Sequence, residues 1–175
     1  MRKLIAIWGI LGVVLLVGRA LWRLTPIALE PIEAGLMTQW HWIGMAAWVV
    51  FNAYAEGYRG FHKRYSPRTV ARAFYLMDNP TPLRVALAPI FCMGLFGATK
   101  KVLITSWVIL IMVVALITWM RTLEQPLRGI IDAGVVVGLA WGLASILLLF
   151  AQALIRGHFD SDPCVPENQS QSESA

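Results

Sequence analysis

The chain has 175 residues, 58% of them hydrophobic and 14% charged, with a mean hydropathy of +0.63. A water-soluble domain of this size cannot hide so much apolar surface, so a membrane is the setting the composition selects. Two cysteines, Cys92 in an apolar run and Cys164 in a polar tail, exclude a disulfide framework, and the net charge of +5 sits at the ends of apolar runs, which points to anionic headgroups rather than nucleic acid.

Residues 4–24 form the first predicted span. Arg2 and Lys3 precede an apolar run to Gly18, a start that resembles a secretory signal, but Arg19 interrupts the small-residue cleavage pattern and an uncleaved span is expected. Arg19 and Arg23 lie four apart and can snorkel to an interface. In residues 25–35, Pro26 and Pro31 with Glu30 and Glu33 read as an exposed loop. The second span is 36–55, with Trp40 and Trp42 at one end and Tyr54, Tyr58, Phe61 and Tyr65 at the other, as in interfacial aromatic belts. Ser66 and Pro67 then read as the start of an amphipathic helix over 67–77. Val70, Ala73, Phe74 and Met77 make its apolar face and Arg68 and Arg72 lie off it, the pattern of a helix in the headgroup plane.

Residues 81–99 admit two readings. Arg84 is followed by 14 uncharged residues before Thr99, Lys100 and Lys101, short for a span, and Pro89, Gly94 and Gly97 would let the chain turn back. A short span over 81–99 is the expectation, with re-entry of 83–98 as the alternative. Residues 102–120 are uncharged between Lys101 and Arg121 and predict a span. The last span, 130–155, holds Asp132 near its start and places Gly134, Gly138 and Gly142 four apart, a small-residue face for helix packing. Residues 157–175 are polar and are expected to be a disordered tail. The predicted fold class is therefore all-α, a polytopic transmembrane bundle of about five spans (or four plus the re-entrant segment) with one interfacial amphipathic helix.

A polar pattern crosses this plan. His41, Trp48, Asn52, Glu56, Arg59 and Lys63 recur at intervals of 7, 4, 4, 3 and 4, one face of a helix. At 1.5 Å per residue such a stripe would run about 33 Å, from near one membrane surface out through the other. Gly57 and Gly60 weaken the helix and could leave 59–64 as a turn. Lys63, Arg64, Arg68 and Arg72 are the candidate contacts for anionic lipid or a partner. The three histidines stand apart with no CxxC or HExxH spacing, so no metal or cofactor is expected. With the N-terminus inside, five spans put ten of the 15 Lys and Arg on the cytoplasmic side, and the re-entrant alternative puts 11 there; both obey the positive-inside rule.

The run FNAYAEGYRGFHKRYSPRTVARAF, with LAPIFCMGLFGATKK and RGIIDAGVVVGLAWG, resembles a family of small bacterial integral membrane proteins of unassigned function, over roughly residues 45–145. The resemblance implies a bacterial inner membrane and supplies no catalytic residues. Three functions remain in view. The expected one is a structural or accessory protein that grips anionic lipid or a membrane partner, or forms a homo-oligomer. The second is a small proton-linked transporter built on Glu56, Asp132 and Arg19; the third is a lipid-headgroup enzyme using Glu56 or Asp132 as base and Arg59 or Arg64 on phosphate. Both alternatives ask more of two separated carboxylates near helix ends than catalysis or transport normally does.

Overall fold

The computed structural model describes residues 2–166, which are mostly helical and contain no strand. Three helices are long and apolar enough to cross a bilayer: α1 (Arg2–Glu33), α6 (Lys100–Met120) and α7 (Leu127–Arg156). Between them lie α2 (Gln39–Asn52), a π-helix (Ala53–Tyr65), α3 (Ser66–Asp78), α4 (Pro82–Ala86) and α5 (Ala88–Cys92).

α1 runs through the prolines that composition assigned to a loop. Pro31 has no N–H for the Ile27 carbonyl, and Gln125 Nε2, from the connection before α7, approaches that carbonyl at 3.4 Å. The same amide donates to Glu30 Oε2 at 2.8 Å, and its oxygen accepts from the Gly129 N–H at 3.0 Å. Pro31 is fully buried against Gly129, where a Cβ would strike its ring. Tertiary packing thus overrides the local preference.

α2 starts at Thr38, whose hydroxyl accepts from His41 N–H (3.4 Å) while His41 Nδ1 accepts from Thr38 N–H (3.2 Å), a reciprocal cap. The glycines beyond Asn52 do not break the chain into a turn. The helix widens instead to the i→i+5 pattern, and Tyr65 and Ser66 remain helical into α3.

α3 buries more than the apolar face read from the sequence. Ser66, Thr69, Val70, Ala71, Arg72, Ala73, Phe74 and Leu76 are all buried, because α1 and α7 cover one side and α5 with the chain after α7 covers another. Residues 81–99 likewise do not form the continuous helix a span needs. α4 and α5 have five residues each, and the turns that follow place Gly94 and Gly97 at φ 78° and 58°, where a side chain would be strained. This segment lies on α1: Gly9 meets Ala88 and Cys92, and a Cβ on Gly12 would fall within the Pro89 ring.

α1 and α7 run antiparallel. Pro31 meets Gly129 at one end, and near the other Ala6, Ile10 and Val13 share a core with Val70, Ala73 and Phe74 of α3 and with Ile146, Phe150 and Ala153 of α7. Phe74 meets Phe150 edge-on at 6.3 Å. The chain after Arg156 returns to this end: Val165 is fully buried with Leu76, Ala88 and Phe91, Ile5 packs beside them, and Thr99 N–H donates to the Cys164 carbonyl at 2.9 Å. The packed chain therefore continues past the point where composition turns polar; the remainder of the predicted tail, 167–175, lies outside the described residues. α6 stands almost alone, with only Ser106 and Met120 buried and a 3.4 Å hydrogen bond from Ser106 Oγ to the Met93 carbonyl.

Candidate functional site

α2 and the π-helix lie along α7 in the same direction. Trp48 Nε1 donates to the Ile131 carbonyl at 3.2 Å, and buried Asn52 donates from Nδ2 to the Trp48 carbonyl at 2.9 Å. The glycines of α7 receive this helix. Gly134 meets the Trp48 indole and the Asn52 amide, Gly138 the Glu56 carboxylate, and Gly142 the Phe61 ring. A Cβ would stand 2.6 Å from Trp48 Nε1 at Gly134, 2.9 Å from Glu56 Oε2 at Gly138 and 2.5 Å from Phe61 Cγ at Gly142. Gly57 returns the relation, since its Cβ would stand 2.9 Å from Trp141 Cβ. His62 Nδ1 and Ser145 Oγ are 3.1 Å apart. Small residues on both sides let the two backbones approach.

The predicted stripe is divided by this arrangement. Trp48, Asn52 and Glu56 face α7, His41 caps α2, and Arg59 and Lys63 are exposed away from the contact. The cause is the wider π turn: Phe61, not Arg59 or Gly60, follows Glu56 against α7. Glu56 makes no ion pair among the described residues.

The outward side of the π-helix carries a ladder. Tyr54 stacks on Tyr58 at 6.1 Å, Tyr58 on His62 at 5.8 Å with 12° between the planes, and Lys63 Nζ lies 4.8 Å above the Tyr58 ring. Arg59 and Arg64 are exposed around it, and Arg68 is half-buried. Aromatic and cationic groups thus alternate along this face.

Arg72, grouped with the lipid contacts in the sequence, is turned inward and has no exposed surface. Its Nε donates to the Phe91 carbonyl (2.6 Å), Nη1 to Pro163 (3.0 Å) and Nη2 to Phe96 (2.7 Å) and Gly97 (3.0 Å), while the guanidinium lies 4.1 Å over the Phe91 ring. Burial lowers its pKa to about 10, which leaves it charged at neutral pH. Short helices and glycine turns leave carbonyls without helical partners, and one planar group with five donors satisfies several of them. No signal in the sequence distinguishes it from Arg68.

Asp132 is 4% exposed, and Arg128 Nε, one turn earlier, is 3.9 Å from its carboxylate. Glu56 sits beside Gly138, further along α7, so the two carboxylates do not converge. Among the described residues no three His, Cys, Asp or Glu side chains are placed to hold a metal ion. No known protein family, curated protein or solved structure matches the chain, and the site is read from its geometry.

Proposed function

We propose that the protein is an accessory component of a bacterial inner membrane that docks a membrane partner through the outward face of its π-helix. In this reading α1, α2 with the π-helix, α6 and α7 cross the membrane, while residues 82–99 enter and return on the N-terminal side. Val165 packing near Ile5 supports ends that share a side, and the contact of Pro31 with Gly129 supports α7 starting where α1 finishes. Four crossings with a cytoplasmic N-terminus leave eight of the 15 basic residues inside and four outside, with Arg59, Lys63 and Arg64 on the crossing π-helix.

The depth of the π-helix carries the proposal. A hydrocarbon core takes about 20 helical residues. α7 has 30, so wherever a core of that size falls along it, residues 137–146 are inside. Gly138 and Ser145, in that stretch, are the residues against which Glu56 and His62 pack. The exposed Arg59, Lys63 and Arg64 are then carried in or beside the hydrocarbon, where a charge costs about 2.5–3.5 kcal/mol on insertion scales. A covering partner removes that cost. Three cations against one carboxylate disfavour a second copy of the same face and favour a helix bearing intramembrane acids. Arg68 extends the cationic surface toward the N-terminal side, where anionic headgroups add attraction of about 1 kcal/mol per basic residue.

The test is purification from native membranes in mild detergent. The wild type is expected to bring a membrane protein with it, and the triple variant Arg59→Gln, Lys63→Gln, Arg64→Gln to lose that protein while remaining monodisperse. If both purify alone with the same lipids, the docking reading fails. One observation favours a second reading, a proton-linked transporter: Glu56 lies beside Gly138 without an ion pair. Glu56→Gln that abolishes the phenotype of the protein yet retains the partner would select it.

A further inference from the structure

An apolar trough lies along α1 where it passes α7. Val14, Leu15, Gly18, Arg19, Trp22 and Leu143 line a hollow of about 490 Å³. A second hollow of about 450 Å³ shares Gly18, Trp22 and Leu143 and continues to Thr25 and Pro26. Gly18 holds it open. No heavy atom lies within 4 Å of where its Cβ would stand, so packing does not demand glycine there as it does at Gly9 and Gly12. Arg19 lines the trough and Arg23 follows one turn on; both are exposed and neither makes a hydrogen bond or ion pair among the described residues. The nearby Glu30 carboxylate instead accepts from Gln125.

We infer that this trough holds an acyl chain of an anionic phospholipid, with the phosphate on Arg19 and Arg23. Arg19 is 17 residues along α1 from Arg2. At 1.5 Å per residue that is about 26 Å, close to the far surface of a hydrocarbon core of about 30 Å. A phosphate in the leaflet away from the N-terminus is therefore within reach of both guanidinium groups, which pair with phosphate through forked N–H donors. The chain below it meets walls of Val14, Leu15 and Leu143, and Trp22 stands at the level where indole rings favour the interface. A free phosphate ion would use the arginines and leave the trough empty; a zwitterionic phospholipid also offers a phosphate, but its headgroup cation stands beside the two guanidinium groups and offsets their attraction. The anionic phospholipid uses both. This site is separate from the π-helix face and does not depend on its function.

The protein is reconstituted in vesicles of equal phosphatidylglycerol and phosphatidylcholine, extracted into mild detergent, and its retained phospholipid counted by native mass spectrometry. The wild type should retain phosphatidylglycerol in preference. Arg19→Gln should lower that preference about fivefold, the ratio equivalent to roughly 1 kcal/mol for a basic residue at anionic headgroups. Gly18→Leu places a side chain in open space and should reduce retention of either lipid with the melting temperature kept. Lys63→Gln with Arg64→Gln should leave this preference in place. Unchanged preference in Arg19→Gln overturns the anionic assignment, and unchanged retention in a folded Gly18→Leu overturns the trough as the binding place. If Gly18→Leu does not fold, Leu15→Trp, from an exposed wall position, replaces it with the same two outcomes.

Discussion

Replacing Arg72 with Met tests whether this arginine is the internal tie of the N-terminal end. Met has comparable length and no donors. The Phe91 carbonyl would keep one partner, the Gly94 N–H at 3.0 Å, but the carbonyls of Phe96, Gly97 and Pro163 would lose the donors that now reach them. An orphaned buried polar group costs about 1–3 kcal/mol. Three at the low end, with relaxation and water entry, give a loss of about 3 kcal/mol. With about 2–4 °C per kcal/mol for a chain of this size, the melting temperature should fall by about 6–12 °C. Arg72→Lys keeps the charge but not the planar fork or the stacking over Phe91, and should fall between the two. The assay is loss of the monodisperse peak on size-exclusion chromatography after heating in detergent, with limited proteolysis after Arg156 as a second readout, because the bond to Pro163 helps hold that segment. An Arg72→Met protein that melts within about 1 °C of wild type would refute the reasoning and return Arg72 to the surface role read from the sequence.

Gly142→Leu should cost about 1–3 kcal/mol in detergent by forcing the Phe61 ring from α7, and Val136→Leu, at a half-buried position, much less; equal melting temperatures would remove the close helix contact. Cys164 should resist a membrane-impermeant thiol reagent in cells with a permeabilised outer barrier and react in inverted vesicles, with Cys92→Ser as background; labelling from outside would restore an odd number of crossings. Gln125→Ala should lower stability by about 1–2 kcal/mol, since the Ile27 carbonyl, Gly129 N–H and Glu30 each lose a partner, and an unchanged melting temperature would contradict that role.

The three long apolar helices were legible because charge-free runs of 15 to 23 residues have few other uses. The end of α1 was not. Whether Pro31 stops a helix depends on whether something else reaches the Ile27 carbonyl, and the residue that does so, Gln125, is distant in sequence. Intervals of four put Trp48, Asn52 and Glu56 on one side of a helix, and all three lie against the glycines of α7. The next members failed because the count assumed an α-helix, and no local rule marks where a helix widens to i→i+5 bonding. Residues 81–99 contained their own warning in Pro89, Gly94 and Gly97, but the shield that lets a broken backbone pack, Gly9 and Gly12 of α1 together with Arg72, exists only in the assembled fold. Arg72 and Arg68 look alike in the sequence, and only the side of α3 on which α5 packs separates them.

The central claim is that the outward face of the π-helix meets a protein at hydrocarbon depth. A photo-cross-linking amino acid in place of the exposed Tyr58, activated in living cells, reports directly on what lies against that face. The account predicts one dominant adduct with a different membrane protein, lost when Arg59, Lys63 and Arg64 are replaced by Gln. Adducts with lipid alone, or with a second copy of this chain, would contradict it.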